Sequence, residues 1–308
     1  MKAAGTAVLL GIDAGASHCT VVVGREDLTV LGRADGPPSA MKPGGGAGSA
    51  AAIADTARRA MAQAGLELPA DRAVVGAAGA ERAQEEEALT AAIREAGVAR
   101  LVRVLPDSEV ALTTVFGAKG SGIVVNAGTG SIALARDATG QLHRCGGYGW
   151  QLGDEGGGYW LGRRALDVAA RAHDGRGEGS TLLARLLASL GLQRFDDLIR
   201  WSVTAAPAQV AALAPHVLNA AREGEGIAQQ AALDAGRELV GLAKALERHF
   251  PGTGRIPLAT AGGLLIPTSP VAVAFQQVLS AEMPRANLIA TRIDSAVGAL
   301  QMAAEMGG

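Results

Sequence analysis

An apolar run from Ala7 to Ile12 is followed, across the small-residue stretch Asp13-Ala14-Gly15-Ala16-Ser17, by a β-branched run from Thr20 to Val23. Two strand-like runs across so short a spacer predict a β-hairpin with a small-residue tip. A third strand is expected near Leu28 to Leu31, after which Gly36-Pro37-Pro38 and Gly44-Gly45-Gly46 mark a long loop. Ala50 to Ala64 reads as a helix, because Ile53, Ala57, Ala60 and Met61 fall on one face. A strand from Ala73 to Ala77, a helix from Glu85 to Ala96 and a strand from Leu101 to Leu105 follow. Strands alternating with helices predict a layered α/β domain. Pro106-Asp107-Ser108 then opens another helix, with Asp107 placed to cap it.

From Gly122 the opening pattern returns. The strand Ile123–Val125 leads into Asn126-Ala127-Gly128-Thr129-Gly130-Ser131 and back along Ile132–Ala135. "IDAGAS" and "VNAGTGS" each end an apolar strand on a side-chain oxygen, continue with Ala-Gly and place a hydroxyl in the tip. This internal repeat predicts two related domains, each opening on such a hairpin. A third glycine turn, Gly262-Gly263, follows the apolar strand Pro257–Ala261. The stretch from Leu161 to Phe250 is rich in Ala, Leu and Arg with few β-branched residues and reads as almost wholly helical. Ser295 to Met306 reads as a closing helix capped by Asp294.

Composition narrows the classes. The 308 residues suffice for two domains, and 48% hydrophobic against 19% charged residues can supply buried cores, which excludes a disordered chain. Lys and Arg number 28 against 30 Asp and Glu, for a net charge of −2, so the broad cationic face that nucleic acid requires is absent and no nucleic-acid partner is expected. Cys19 and Cys145 cannot build a disulfide framework, and the five histidines show no zinc-ligand spacing. The apolar run Ala7–Ile12 is too short for a secretory segment and nothing approaches a membrane span, so a cytoplasmic location with no membrane partner is expected.

Two glycine-containing tips at domain starts suit a phosphate chain, since backbone N–H groups reach an anion only where side chains are small, and Ser17, Thr129 and Ser131 can add hydroxyl donors. Taken singly, either tip reads first as a plain tight turn; recurrence in both halves favours the phosphate reading. Neither is a Walker loop or a dinucleotide fingerprint. Asp13 beside the first tip would repel phosphate unless a divalent cation intervened, and magnesium fits because it keeps several waters; a turn aspartate bonded to its own backbone is the alternative. Asp107 is a helix cap or, facing a cleft, a general base. The segment "CGGYGWQLGDEGGGYW", Cys145 to Trp160, gathers Tyr148, Trp150, Tyr159 and Trp160 with acidic residues in a glycine-rich loop, a combination that binds carbohydrate unless it is only a surface loop. His18 reads as a strand residue and Glu85-Glu86-Glu87 as a solvated helix start.

"LLGIDAGAS", "VVGAAGAER", "VLPDSEVAL", "VVNAGTGSIAL", "GGYGWQLGDEGGGYWLG" and "ATAGGLL", in this order and over nearly the whole chain, resemble the N-acetylglucosamine kinase and BadF/BadG/BcrA/BcrD ATPase family of the actin-like sugar-kinase superfold. The resemblance implies an α/β fold of two actin-like, ribonuclease H-like ATPase domains with ATP and substrate in the cleft between them. The expected division is 1–117 and 118–294, with helices inserted over 161–250 and the terminal helix 295–308 packing back on the first domain. It implies that Asp13, Gly15 and Ser17 form the first phosphate loop, with Asp13 holding Mg2+ through water, and that Gly128 and Thr129 form the second. Gly262, Gly263 and Ala221 would line the adenosine side. Asp107 would be the catalytic base, and Ser131, Gly147, Tyr148, Gly149 and Asp154 would join it around the sugar.

The implied activity is ATP-dependent transfer of phosphate to the 6-hydroxyl of N-acetylglucosamine or glucosamine, by a homodimer. An activator ATPase of the acyl-CoA dehydratase or reductase type, or a non-catalytic sugar sensor, are the alternatives. Three departures stand out. The family's D-G-G-G-T is here Asp13-Ala14-Gly15-Ala16-Ser17, which phosphate binding tolerates if φ stays negative at both alanines. The tryptophan of G-G-W-G is Tyr148. An asparagine that contacts sugar would fall near Ala40 in "DGPPSAMKPGG", which contains none.

Overall fold

The computed structural model describes residues 7–41, 44–177, 180–290 and 293–306. The chain divides into two compact units, Met1–Gly120 with Arg292–Gly308, and Ser121–Thr291. In the first unit, β1 (Leu9–Ala14), β2 (Cys19–Gly24) and β3 (Val30–Gly36) precede α1 (Gly46–Gln63), β4 (Ala70–Ala77), α2 (Ala83–Glu95), β5 (Ala99–Pro106) and α3 (Asp107–Phe116). In the second, β6 (Gly122–Ala127), β7 (Ser131–Arg136) and β8 (Leu142–Gly146) lead to six helices: α4 (Gly158–His173), α5 (Leu182–Leu190), α6 (Phe195–Thr204), α7 (Pro207–Ala211), α8 (Ala214–Arg222) and α9 (Gly226–Leu246). Then come β9 (Ile256–Ala261), α10 (Pro270–Glu282) and β10 (Ala286–Leu288), and α11 (Ser295–Glu305) returns to the first unit.

The sheets share one topology. The first is ordered β3-β2-β1-β4-β5 and the second β8-β7-β6-β9-β10; in each, three antiparallel strands are extended by two parallel ones. The repeated tip motif thus carries a repeated sheet. Parallel strands need crossovers, which place helices on the sheet faces. On one face of the first sheet Ile53, Ala57, Ala60 and Met61 of α1 are buried against Ile12, Val21 and Val75. On the other face Leu9, Val22 and Val74 meet Val110 of α3 and Ala299, Leu300 and Ala303 of α11. The alternation follows from the two-residue period of a strand.

Helix α11 docks closely because two glycines leave room, Gly11 for the α11 backbone and Gly298 for the Thr114 side chain. A Cβ on Gly11 would lie 2.0 Å from the Ala296 carbonyl oxygen, and one on Gly298 would lie 1.7 Å from Thr114 Oγ1. Asp294 caps it as expected, its Oδ1 accepting the Val297 N–H at 3.2 Å while Oδ2 pairs with Arg33 at 2.7 Å. Arg72 donates to the carbonyls of Ala303 and Ala304 at the other end. Residues 307 and 308 of the expected terminal helix lie outside the described residues.

Several local expectations are corrected. The third strand begins at Val30, not Leu28, because Leu28 takes a φ of +66° in the turn Arg25 closes through N–H bonds to and from residues 28 and 29. His18 is not a strand residue: it is exposed in the tip, and its carbonyl accepts the Gly15 N–H at 2.9 Å. Glu85 is not solvated like a free helix start, since its Oε2 is buried and its side chain is only 15% exposed. Tyr159 and Trp160 lie in the first turn of α4 rather than in a loop. Asp107 is the first residue of α3 instead of its cap, a position held by Pro106. Among the described residues no helix is long and apolar enough to cross a membrane.

Candidate active site

In the first unit the sequence-derived residues gather beyond the C-terminal ends of β1, β4 and β5, where ligands bind in open α/β sheets. Asp13 is registered against Gly76 across the parallel pair β1 and β4, and Ala77 against Pro106 across β4 and β5. Asp13, the turn after β4 and Asp107 therefore project from neighbouring strands. Gly76 admits this closeness: a Cβ there would stand 3.5 Å from the Asp107 Cα and 3.0 Å from Val110.

Asp107 Oδ1 accepts the Ser108 N–H at 2.7 Å, so a first-turn amide of α3 fixes the carboxylate. Its pKa is pushed up to about 7 by burial first, then by the negative charges of Glu81 and Asp13. Asp13 is also shifted upward, by burial above all, with His18 and Arg33 opposing and Asp294 reinforcing the shift. The tip beyond it is braced: the Gly15 carbonyl accepts from the N–H groups of Ser39 and Ala40 at 3.1 and 3.0 Å, and the Met41 N–H donates to Ala78 at 2.8 Å. Ala40 thus holds the tip through its backbone; Lys42 and Pro43 of the same stretch lie outside the described residues. Neither Ala14 nor Ala16 has a positive φ, so the added methyl groups impose no backbone strain. Ser17 is exposed at the tip.

In the second unit strand pairing runs through Ala127–Ser131, leaving a tip of three residues, Gly128 to Gly130. The Gly128 N–H donates to the Gly130 carbonyl, while Gly158 and Tyr159 at the start of α4 donate to the carbonyls of Gly128 and Thr129 at 2.8 and 2.9 Å. Asp154 packs against the same tip. Its Oδ1 accepts the Ser131 N–H at 3.4 Å, its φ is +65°, and a Cβ on Gly130 would stand 2.4 Å from its Oδ2. Ser131 Oγ donates to the Glu155 carbonyl at 2.7 Å. The two motifs G-T-G-S and G-D-E-G are therefore one packed body. A non-glycine residue held in left-handed conformation is a strained position of the kind found at ligand sites.

Gly262, at φ +89°, closes against the same strand end, where a Cβ would lie 2.3 Å from the Ala127 carbonyl oxygen; Gly263 begins a 3-10 turn with open space beside it. Ala221 is buried near the end of α8, and its carbonyl accepts from Gly224. Gly147 packs on Ile132, Tyr148 is half exposed with the Arg144 guanidinium 5.2 Å from its ring, and Gly149 at φ +86° accepts from Leu152 and Gly153. Trp150 and Tyr159 contact each other at 5.2 Å. The structure thus joins Gly128, Thr129, Ser131, Asp154 and Gly262 in the second unit, and Asp13, Gly15, Ser17 and Asp107 along one sheet edge in the first. Glu81, which falls within "VVGAAGAER" but receives no role from the sequence, raises the Asp107 pKa by its charge.

Asp13 makes no side-chain hydrogen bond or ion pair among the described residues, and no group of three or more His, Cys, Asp and Glu there could hold a bare metal ion. A buried-side carboxylate without a protein partner fits a hydrated magnesium ion, which needs few protein ligands.

Paired five-stranded sheets of identical order, each opening on a glycine tip, define a two-domain actin-like α/β protein. The chain belongs to the BadF/BadG/BcrA/BcrD ATPase family, whose model matches residues 10–303. It is 29% identical over 299 residues, 96% of this chain and 97% of the other, to the N-acetylmuramic acid/N-acetylglucosamine kinase of Clostridium acetobutylicum. A crystal structure from Chromobacterium violaceum, named provisionally as an N-acetylglucosamine kinase, is similar at 30% identity with a TM-score of 0.79, covering 96% of this chain and 98% of that one. A glucokinase of the ROK family from Streptomyces griseus shares the fold at 18% identity and a TM-score of 0.59, over 97% and 99% of the two chains.

Proposed function

We propose that this chain is an ATP-dependent amino-sugar kinase that transfers the terminal phosphate of ATP to a hydroxyl of N-acetylglucosamine or a close amino sugar, the 6-hydroxyl being the preferred acceptor. The observation that carries the reading is Asp107: a carboxylate fixed at the edge of the parallel strands, with its proton affinity raised to about 7. A base for an alcohol works best when its pKa lies near the operating pH. The names of two relatives of about 30% identity that cover nearly the whole chain support the amino sugar as acceptor.

Asp107 accepts the proton of the acceptor hydroxyl as that oxygen attacks the γ-phosphorus. The bond between this phosphorus and the bridging oxygen breaks, and ADP leaves. Gly15 and Gly128, whose own N–H groups are bonded to the carbonyls of His18 and Gly130, keep the tips small enough for phosphate oxygens to approach, and Ser17 and Thr129 offer hydroxyls there. Gly262, Gly263 and Ala221 line the adenosine side, while Ser131, Asp154 and the Gly147-Tyr148-Gly149 segment hold the sugar. Asp13 would hold hydrated magnesium, which when bound offsets charge on the phosphates. The reading includes a homodimer as the working form.

Purified protein mixed with ATP, magnesium and a panel of hexoses and amino sugars tests it. Amino-sugar-dependent ADP release is the expected result; ADP release indifferent to every sugar would refute it.

A further inference from the structure

Glu81 stands in the turn after β4, one residue before Arg82, the N-cap of α2. Its Oε1 accepts the Gly79 N–H at 3.2 Å. Gly79 has a φ of +85°, and a Cβ there would lie 2.1 Å from the Met41 carbonyl oxygen, so only glycine fits between this turn and the 39–41 segment. That segment is itself bonded to Gly15 and Ala78. Glu81 therefore sits on a turn pinned from two sides, with its position set by backbone.

The carboxylate makes no other hydrogen bond or ion pair among the described residues, and no Lys or Arg pairs with it there. It stands near Asp107, whose pKa its negative charge raises more than that of Asp13 does. The Gly79 bond needs one oxygen only, and an amide would supply it equally well. A second negative charge beside a base is unfavourable for the free protein, so its use must be sought in what binds. The register explains the juxtaposition, since Ala77 pairs with Pro106 and the two acids follow these residues beyond one sheet edge. Two carboxylates anchored side by side by N–H groups, Asp107 on Ser108 and Glu81 on Gly79, can accept from two hydroxyls of one polyol.

We propose that Glu81 is a specificity-determining residue for the acceptor, its Oε2 accepting a hydrogen bond from a second hydroxyl of the sugar whose first hydroxyl Asp107 deprotonates. This rests on the kinase reading above and adds to it a residue that distinguishes sugars by hydroxyl pattern. A site built to bond a hydroxyl rejects the analogue lacking it.

The test compares wild type, Glu81→Ala and Glu81→Gln in steady-state kinetics on the accepted sugar and its monodeoxy analogues at saturating ATP. In Glu81→Ala the sugar KM rises on the order of 10-fold or more, kcat stays within a few-fold, and the ATP KM is unchanged. One deoxy analogue that wild type uses poorly is then used by Glu81→Ala as well as the parent sugar. Glu81→Gln, which keeps the Gly79 bond, retains wild-type melting and shows a smaller rise in sugar KM. Equal penalties for every analogue in wild type and Glu81→Ala would overturn the proposal while leaving the kinase reading standing. So would a Glu81→Ala defect that raises sugar and ATP KM together with lost melting temperature. If wild type phosphorylates no sugar, both fall.

Discussion

Asp107 Oδ1 accepts the backbone N–H of Ser108 at 2.7 Å, in the first turn of α3 and directly after β5. The bond orients the carboxylate without neutralising it, and an amide oxygen can keep it. Asp107→Asn is therefore expected to leave folding and ATP affinity intact while lowering kcat by about 10²- to 10⁴-fold, the usual worth of a general base. ATP binding by calorimetry and turnover by coupled assay, on the same preparation, separate the two effects.

The pH dependence follows from the same group. On the proposed mechanism the base is ionised Asp107, so kcat/KM should rise with pH along a limb with its midpoint near 7. Stability runs the other way. A carboxyl whose folded pKa lies above its unfolded value of 3.8 contributes stability that is complete below pH 4 and lost as pH rises through 7. Melting curves should show Asp107→Asn gaining on wild type between pH 5 and 8, with no gain at pH 4.

Asp13 makes no side-chain hydrogen bond or ion pair among the described residues and is raised in pKa chiefly by burial. Asp13→Asn is expected to raise the magnesium concentration for half-maximal activity roughly 10- to 100-fold, the range seen when an outer-shell metal partner is lost. EDTA should abolish wild-type turnover, and a magnesium titration of the variant provides the comparison.

The fold was legible where strands and glycine tips recur. The repeat of "IDAGAS" in "VNAGTGS" reappears as two sheets of one order, and the period of Ile53, Ala57, Ala60 and Met61 reappears as a buried face. Boundaries were less so: Leu28 looks like a strand residue until its positive φ is known, and Glu85 looks solvated until helix α2 is turned against its sheet. The site was half legible. Asp13, Asp107 and Thr129 stand in recognisable local patterns, but Glu81 matters only through the Ala77–Pro106 register, a contact between strands separated by a whole helix.

Gly262 turns at φ +89° with the Ala127 carbonyl oxygen 2.3 Å from any Cβ. Gly262→Ala combines strain with overpacking and is expected to cost about 1–3 kcal/mol. A drop in melting temperature of roughly 2–10 °C follows for a unit of this size. The ATP KM should rise in the same variant, because the displaced strand end carries the Gly128–Gly130 tip.

The most direct measurement is of the product itself. Protein, magnesium, ATP and N-acetylglucosamine are incubated, and sugar phosphate is quantified by mass spectrometry beside ADP. The account predicts one sugar phosphate per ADP in the wild type and both products formed about 10²- to 10⁴-fold more slowly by Asp107→Asn. ADP formed without phosphorylated sugar, or equal product from the variant, would contradict it.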